Sequence, residues 1–362
     1  MKNFIIVFFI TISSYLTIDY IFGFYLLDFT KSQNLRIQNH EFGYHSLNSS
    51  FDGYEGNIRY CTNREGFRIS CLNKNKKINK HYDIFFIGDS FTEGYQVSYE
   101  QSFVGIIDKL TEKKIANLGV TSYSPTIYYE KVKRYIKKGF TFDHLVVYID
   151  ISDIQDESVD YADSLTFKKK FKNLIRTLFP FSYVSLRKII RNKEPRSIVS
   201  KIKETNTLPK TYPLVNEDKT KKRNKKNIFL DKNFSKSAWT YNRNLNDYGL
   251  IGVEGGIDKS IIKMNELSLL LKKNNIKLSI AVYPWPAQLV YDNVDSDQVK
   301  IWRKFCEGKC YRFIDNFVPF FSFLDKTDPK KVVDTYYHYH DAHFNKKGHE
   351  ILARNFIDAF NN

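Results

Sequence analysis

The stretch YDIFFIGDS, residues 82–90, decides the fold of this chain. Residues 82–87 form a short run that is apolar apart from one aspartate, and such a run is typical of a buried strand. The Gly88-Asp89-Ser90 tripeptide that follows it favours a turn. The pattern therefore predicts a buried strand whose carboxyl end presents Ser90, at the edge where open α/β sheets bind their ligands.

Short apolar runs of the same kind recur along the chain and alternate with segments of helical spacing. Further strands are predicted at 114–118, 144–150, 277–283 and 312–314, and helices at 99–113, 126–138, 258–273 and 346–360. Strands that alternate with helices predict a parallel sheet with helices on both faces. The expected fold class is therefore α/β, and the regular part of the chain is expected at residues 81–362.

The N-terminal residues 4–27 are nearly all apolar or aromatic. A run of about 24 such residues is long enough to cross a bilayer as a helix. Asp19 interrupts the run and adds a cost of membrane insertion. A signal peptide has a shorter apolar region and a cleavage site of small residues, whereas bulky Tyr15 and Leu16 follow the two serines here. We predict an uncleaved signal anchor, a transmembrane helix over residues 1–30, with a cleaved signal peptide as the alternative.

Two further segments are predicted to lie outside the regular α/β part. Residues 31–80 begin with a polar stretch rich in Asn and Ser, so we expect a linker and an irregular N-terminal segment. Residues 165–230 form a basic insertion. Its part 167–191 is expected to be an amphipathic helix, packed either on its own domain or on an anionic membrane or glycan. The run 219–226 is expected to be a solvated loop.

The composition is that of an ordinary globular protein with a basic surface. The 362 residues are 42% hydrophobic and carry a formal net charge of +16, which excludes a disordered chain. The charge favours a polyanionic neighbour such as anionic lipid or an acidic polysaccharide, or it reflects a general abundance of Lys. No nucleic-acid-binding module is recognisable, and export argues against a nucleic-acid partner.

Four cysteines fall into two close pairs. Cys61 and Cys71 are ten residues apart, and Cys306 and Cys310 are four apart. Each pair could close a short disulfide loop in an oxidising compartment outside the cytoplasm. Free thiols and a zinc site stay open as alternatives, although these spacings differ from those of zinc fingers.

Residues near the C-terminus supply candidate partners for Ser90. A serine hydroxyl is a weak nucleophile and needs a neighbouring base. Asp341 and His343 lie in a loop before the last predicted helix, and a histidine with a nearby carboxylate is a plausible base with its orienter. There are two alternatives: Ser90 alone would serve as a helix N-cap, and His338, His340 and His343 with Asp341 could bind a metal ion. We expect no metal and no other cofactor.

Taken in chain order, these residues resemble the sequence blocks of the SGNH/GDSL hydrolase superfamily. Gly88-Asp89-Ser90 is similar to the block that holds the nucleophile, Asn117-Leu118-Gly119 to the second block, and Asp341 with His343 to the last. The resemblance covers residues 56–362 of the chain. The order and spacing of three blocks make it fairly specific.

The resemblance implies a fold and a set of residue roles. The fold of the superfamily is a flavodoxin-like three-layer α/β/α sandwich with a parallel sheet. Ser90 takes the place of the nucleophile, His343 that of the base, and Asp341 that of the residue that orients the base. The backbone N–H groups of Ser90 and Gly119 take the place of oxyanion-hole donors.

The chain departs from the family pattern at two of its blocks. The third block, Gly-x-Asn-Asp in the family, reads Asp150-Ile151-Ser152-Asp153 here, so the asparagine side chain is absent. Ser152 is the better substitute donor to an oxyanion, because Asp153 could donate only when protonated. The last block is Asp-x-His instead of Asp-x-x-His, a spacing that also occurs in relatives that acetylate exopolysaccharides.

The resemblance is to exported, membrane-anchored members, similar to polysaccharide O-acetyl esterases and acetyltransferases. It implies a serine esterase or O-acyltransferase that acts on acyl, mainly acetyl, esters of cell-envelope carbohydrate, outside the cytoplasm in the periplasm or at the cell surface. Tyr283 and Trp285 suit stacking on sugar rings, although core packing explains most aromatic residues. The alternative is a non-catalytic glycan-binding or assembly protein on a degenerate fold. The missing asparagine favours that alternative, and the intact Ser90, Asp341 and His343 oppose it.

Overall fold

The computed structural model describes residues 2–39, 44–73, 79–161, 175, 178–183, 185, 227–324 and 327–361. The chain divides into two units. The larger comprises residues 33–163 and 227–362, and the smaller comprises residues 1–32 and 164–226. Most of the basic insertion predicted at 165–230, including the run 219–226, lies outside the described residues.

The larger unit contains a two-stranded hairpin and a sheet of eight strands. The hairpin consists of β1 (Arg36–Asn39) and β2 (Tyr44–Leu47). The sheet strands, in chain order, are β3 (Asp52–Glu55), β4 (Ile58–Thr62), β5 (Arg68–Ile69), β6 (His81–Gly88), β7 (Ile115–Asn117), β8 (Thr141–Ile149), β9 (Lys277–Val282) and β10 (Arg312–Asp315).

Five neighbouring strands of the sheet are parallel. They lie in the order β7-β6-β8-β9-β10, so the first of them in the chain, β6, lies between the second and the third. This is the flavodoxin-like, doubly wound order. Strands β5, β4 and β3 extend the sheet beyond β7 as antiparallel strands. The predicted α/β class with a mostly parallel sheet is confirmed.

Helices connect these strands. Helix α1 (Lys2–Gln33) belongs to the smaller unit. Those of the larger unit are α2 (Ser90–Glu93), α3 (Phe103–Leu110), α4 (Pro125–Lys137), α5 (Asp153–Val159), α6 (Ser235–Ala238), α7 (Gly252–Lys273), α8 (Pro286–Tyr291), α9 (Asp297–Cys306), α10 (Phe317–Phe321), α11 (Pro329–Tyr336) and α12 (Lys346–Asn361).

Side chains of β6 point alternately into two hydrophobic clusters. Phe85 and Ile87 belong to the cluster that includes residues of α4, α7 and α9. Ile84 and Phe86 belong to the cluster that includes residues of α3, α11 and α12. Because helices cover both faces of the sheet, both faces of β6 must be largely apolar, which explains why its residues 84–88 contain no polar side chain. The predicted three-layer α/β/α sandwich is confirmed.

Residues 31–80 are more regular than predicted. They contribute the five strands β1–β5, three of which join the main sheet. These strands are only two to five residues long, which is too short for an alternating pattern to be recognised in the sequence. The predicted helix at 99–113 is likewise divided, because Ser102 caps a new helix, α3, by accepting a hydrogen bond from the Gly105 N–H (3.1 Å).

The four cysteines form the two local pairs that their spacing suggested. Cys61 is bonded to Cys71, with 5.1 Å between the Cα atoms, and Cys306 is bonded to Cys310, with 4.7 Å. Sulfur atoms in a disulfide are not thiolates, so these cysteines are not zinc ligands in this form.

Helix α1 contains an apolar window, Ile6–Gly23, with a mean hydropathy of 1.6. By length and composition this helix is able to cross a membrane, and a signal sequence would pass the same test. The predicted N-terminal helix is therefore present.

Asp19 of α1 is buried against residues of the insertion. It is 3% exposed, and its carboxylate accepts hydrogen bonds from the backbone N–H groups of Phe181 (3.2 Å) and Ser182 (2.9 Å). A Cβ on Gly23, one helical turn further on, would lie 2.5 Å from Cγ of Pro180. Asp19, the residue expected to make membrane insertion less favourable, therefore has hydrogen-bond donors within the smaller unit.

Candidate active site

Ser90 begins α2 just after the carboxyl end of β6. Asp89 caps this helix, and its carboxylate accepts a hydrogen bond from the Phe91 N–H (2.9 Å). A Cβ on Gly88 would lie 2.7 Å from the carbonyl oxygen of Tyr148 in β8, so this tight exit from the strand requires glycine. Because β6 lies between β7 and β8, Ser90 lies where the strand order reverses, the usual ligand site of such sheets.

The structure brings Ser90, His343 and Asp341 into one hydrogen-bonded series. Ser90 Oγ lies 2.8 Å from His343 Nε2, and His343 Nδ1 lies 2.5 Å from Asp341 Oδ1. Asp341 Oδ1 also accepts the backbone N–H of His343 (3.0 Å). The carboxylate therefore folds back over a turn in which His340 has φ +54°, and this turn allows the shortened Asp-x-His spacing to orient the imidazole.

Asp341 is held in its ionised form by its neighbours. Although burial alone raises the pKa of this carboxyl, the hydrogen bonds and charge of His343 and a hydrogen bond from Gln96 lower it to about 2. Gln96 Nε2 donates to Asp341 Oδ2 at 2.7 Å. We did not predict Gln96 from the sequence, and no local pattern marks it, since it reaches Asp341 only through the fold.

Two aromatic rings confine the imidazole of His343. The Phe91 ring centroid lies 4.8 Å from that of His343, and the Tyr95 centroid lies 4.9 Å from it. Both aromatic residues lie within five positions of Ser90 in the chain. The segment that contains Ser90 therefore supplies part of the packing around His343.

Three buried aspartates lie next to Ser90. Asp89, Asp150 and Asp153 are each at most 3% exposed. Burial, followed by the charge of Asp150, raises the pKa of Asp89 well above its usual value. Burial, followed by the charges of Asp150 and Asp89, does the same for the pKa of Asp153. Asp89 Oδ2 lies 3.1 Å from Ser90 Oγ, so this cluster is in direct contact with the candidate nucleophile.

Tyr283 and Trp285 bind this acidic cluster. The Tyr283 hydroxyl donates to Asp89 Oδ1 (3.1 Å), and Trp285 Nε1 donates to Asp150 Oδ2 (2.6 Å). Their side chains are buried, so they are not surfaces on which a sugar ring can stack. Core packing is the correct explanation for both.

Two of the predicted oxyanion donors, Gly119 and Asp153, have partners of their own. The Gly119 N–H donates to Asn117 Oδ1 (2.9 Å). Asp153 Oδ2 accepts a hydrogen bond from the hydroxyl of a buried tyrosine (2.9 Å). The Gly119 N–H would therefore have to leave Asn117 in order to serve in an oxyanion hole. The structure does not test the role predicted for the Ser152 side chain, because the hydrogen bond to Asp150 Oδ1 (2.7 Å) is made by the Ser152 backbone N–H.

The loop of residues 118–123 is held from two sides. Glu93, at the end of α2, accepts the Thr121 N–H (2.8 Å) and forms an ion pair with Arg36 of β1. His45 Nε2 lies 2.5 Å from the Thr121 carbonyl oxygen.

Within the part of the chain that the structure describes, the N–H groups of Ser90 and of Ser122 (φ +61°) have no acceptor. These two amides remain available to a ligand.

Arg68 supports the segment that follows α2. Its guanidinium is 1% exposed, donates to the carbonyl oxygens of Glu93, Gly94 and Val97, and lies 4.0 Å from the Tyr60 ring centroid. We expect Arg68→Ala to lower the free energy of unfolding by about 3 kcal/mol, because buried carbonyl groups lose a charged donor. Urea denaturation of both proteins measures this change.

The control for this substitution is Arg59→Ala. Arg59 is exposed and forms a surface ion pair with Asp52, and such pairs contribute little to stability. We expect no measurable change for the control. Equal stabilities of the Arg68→Ala variant and the native protein would contradict the role given to Arg68.

The candidate metal ligands are not assembled as a site. Among the described residues, the groups with metal-like spacing are Asp52 with Cys61 and Cys71, and His81 with Asp83 and Asp143. The first contains disulfide sulfurs. Neither group includes the histidines of residues 338–343, where His343 has both ring nitrogens in hydrogen-bonding contact with Ser90 and Asp341.

No family model and no curated protein matches this chain. Solved structures do match. An acetylxylan esterase from Geobacillus stearothermophilus is 13% identical, with a TM-score of 0.42 over 77% of this chain and 93% of that one. A member of the lipolytic protein G-D-S-L family from Veillonella parvula is 11% identical, with a TM-score of 0.40 over 77% of this chain and 98% of that one.

Proposed function

We propose that this chain is a serine esterase or O-acyltransferase of the SGNH/GDSL hydrolase superfamily. The observation that supports the proposal is the hydrogen-bonded series from Ser90 Oγ through His343 to Asp341. Ser90 and His343 are 253 positions apart in the chain, so their contact is not a local coincidence. A serine, a histidine and an oriented carboxylate in this arrangement support acyl transfer as the reaction class.

The proposed reaction proceeds in two acyl transfers. Ser90 Oγ attacks the carbonyl carbon of an ester while His343 Nε2 accepts its proton, and Asp341 stabilises the imidazolium. Backbone N–H groups stabilise the oxyanion; that of Ser90 is free, and that of Gly119 would first leave Asn117. His343 then protonates the departing alcohol. His343 then deprotonates water or a sugar hydroxyl, which attacks the acyl carbon. The bond from the acyl carbon to Ser90 Oγ breaks, and His343 returns the proton to Ser90 Oγ.

The substrate class that we propose is an acyl ester of cell-envelope carbohydrate. The supporting features are the basic charge of the chain, helix α1 as a membrane anchor, and two disulfides typical of an oxidising compartment. In this proposal the α/β unit lies outside the cytoplasm and α1 crosses the membrane as an uncleaved signal anchor.

A glycan-binding protein without catalysis is the second candidate. The observation that favours it is the engagement of the Gly119 N–H by Asn117, together with the absence of an asparagine in the third block. An incomplete oxyanion hole would leave a substrate bound without accelerating its cleavage.

Covalent labelling distinguishes the two candidates. We expect a fluorophosphonate, added to the full-length protein in detergent, to form an adduct on Ser90 that mass spectrometry locates, because a serine with an adjacent base is activated as a nucleophile. Ser49→Ala, a change of an exposed serine, is the control and should label like the native protein. A folded protein that forms no adduct on Ser90 would favour the glycan-binding candidate.

Tyr339 is the residue that we expect to contact a sugar. Its side chain is 64% exposed, its ring lies 4.1 Å from that of His340, and it is two positions from Asp341. We expect Tyr339→Ala to raise KM for an O-acetylated oligosaccharide about threefold to tenfold, the loss of one ring contact. The Tyr339→Phe control should keep the native KM. If both variants lose activity on p-nitrophenyl acetate as well, the effect arises from disturbance of the Asp341 loop.

A further inference from the structure

Ser90 Oγ has one hydrogen and two polar neighbours. His343 Nε2 lies 2.8 Å from Oγ, and Asp89 Oδ2 lies 3.1 Å from it on the other side. Ser90 can donate its hydrogen to one of these atoms only. The identity of that acceptor decides whether the serine is prepared to lose its proton to the base.

The hydrogen bonds of His343 select its tautomer. Nδ1 lies 2.5 Å from an ionised carboxylate, Asp341, so it carries a hydrogen. In a neutral imidazole the other nitrogen, Nε2, is then an acceptor. In the form of the site that is competent for proton transfer, the Ser90 hydroxyl therefore donates its hydrogen to His343 Nε2.

This assignment leaves the contact between Ser90 and Asp89 without a hydrogen unless Asp89 supplies one. Asp89 Oδ1 already accepts from the Phe91 N–H and the Tyr283 hydroxyl. An ionised Oδ2 would face the lone pairs of Oγ at 3.1 Å, which is repulsive, whereas a protonated Oδ2 would donate to Oγ.

The surroundings of Asp89 favour the neutral acid. The side chain is 3% exposed. The titratable groups that face it are Asp150 after β8, Asp153 in α5, Tyr128 in α4, Tyr283 after β9 and His343 in the loop before α12. Burial and the charge of Asp150 both disfavour a carboxylate at this position and raise the pKa of Asp89.

We propose that Asp89 is a further catalytic residue, a neutral carboxylic acid that donates a hydrogen bond from Oδ2 to Ser90 Oγ and thereby directs the serine hydrogen to His343. The proposal rests on the proposed function, because it concerns the same nucleophile. During attack the Oγ–C bond forms, the carbonyl π pair moves to oxygen, and the Oγ proton moves to Nε2. The Asp89 proton stays on Oδ2 throughout.

Ionisation of Asp89 switches the nucleophile to a different hydrogen bond. The Asp89 proton leaves to solvent, and the Ser90 hydroxyl rotates so that its hydrogen lies on the Asp89 side. His343 Nε2 then no longer receives the Ser90 hydrogen. Activity is therefore present at pH values below the pKa of Asp89 and is lost as pH rises through it.

The test compares pH profiles of kcat/KM for p-nitrophenyl acetate, using the full-length native protein and its Asp89→Asn variant. An asparagine side chain can accept the Phe91 and Tyr283 hydrogen bonds and donate permanently to Ser90. We expect Asp89→Asn to keep activity within about tenfold of native near neutral pH and to lose the alkaline decline that the native protein shows. Asp156→Asn is the control, because burial also raises the pKa of Asp156, to about 7, and this variant should retain the decline.

Two results would overturn the proposal. One is a folded Asp89→Asn variant whose activity falls about 100-fold or more at neutral pH, since this would show that an ionised carboxylate is needed. The other is an Asp89→Asn variant with the same alkaline decline as the native protein, since the titrating group would then be elsewhere.

A second measurement does not depend on catalysis. The infrared difference spectrum of native protein against the Asp89→Asn variant at neutral pH should contain the carbonyl band of a protonated carboxyl group. A carboxylate band in its place would overturn the proposal, even if the variant were inactive for other reasons. A native protein that shows the protonated band but neither hydrolyses esters nor forms a fluorophosphonate adduct on Ser90 would refute the proposed function and leave the protonation of Asp89 established.

Discussion

Ser90→Ala is expected to lower kcat for p-nitrophenyl acetate at least about 10⁴-fold, the scale on which loss of a triad serine acts in serine hydrolases. The variant removes Ser90 Oγ, the hydroxyl that contacts His343 Nε2 just after the carboxyl end of β6. An alanine preserves the backbone of α2, because the helix cap is supplied by Asp89 and not by Ser90. The measurement is steady-state hydrolysis by full-length protein in detergent, with circular dichroism to show that the variant is folded.

The Ser49→Ala variant is the matched control for this substitution and should hydrolyse the ester at the native rate. A Ser90→Ala protein with a rate within tenfold of native would mean that Ser90 is not the nucleophile. A small residual rate of hydrolysis would not contradict the role of Ser90. His343 remains in the variant and can act as a general base on water, and the free N–H groups remain as well.

Asp341→Asn is expected to lower kcat about 10⁴-fold with little change in KM, as loss of the orienting carboxylate does in related triads. Asp341 Oδ1 lies in hydrogen-bonding contact with His343 Nδ1, and the same carboxylate also accepts from Gln96 and from the His343 N–H. An amide at this position can donate to Nδ1 and stabilise the wrong tautomer, in which Nε2 carries the hydrogen. His343 would then be unable to accept the Ser90 proton.

Kinetics of Asp334→Asn provide the comparison for this second variant, because Asp334 is an exposed aspartate on α11. We expect native kcat and KM for it. A decrease of less than tenfold in kcat for Asp341→Asn would show that Asp341 does not orient the base. A large rise in KM with kcat nearly unchanged would indicate a role in substrate binding.

The long central strands could be predicted from the sequence because they are buried on both faces. Strands β6, β8 and β9 are six to nine residues long and consist mostly of apolar residues. The strands β3–β5 were missed because each is only two to five residues long. Strands β3 and β4 form a hairpin across Gly56 and Asn57, whereas β5 contacts the distant β7 through the single register pair of Arg68 and Asn117. Tertiary pairing, not local propensity, forms such strands.

The candidate site divides in the same way. Ser90, Asp341 and His343 could be named because each belongs to a short local pattern, at the end of a strand or before a helix. Gln96, Arg36 and the cluster around Asp89 carry no such pattern, because their roles depend on contacts between distant segments. The stacking role suggested for Tyr283 and Trp285 was wrong for a related reason: a position just after a strand does not reveal whether a ring faces solvent or a buried carboxyl group.

The hydrogen bonds of Asp19 bear on how the N-terminus is processed. Asp19 and Ser182 are 163 positions apart in the chain. The Asp19 carboxylate nevertheless accepts hydrogen bonds from the backbone N–H groups of Phe181 and Ser182. Maturation by a signal peptidase would remove that acceptor and leave two N–H groups unsatisfied, at a cost of about 1–3 kcal/mol for each that stays buried. We therefore expect retention of α1 to stabilise the smaller unit, because α1 supplies the acceptor for the N–H groups of Phe181 and Ser182.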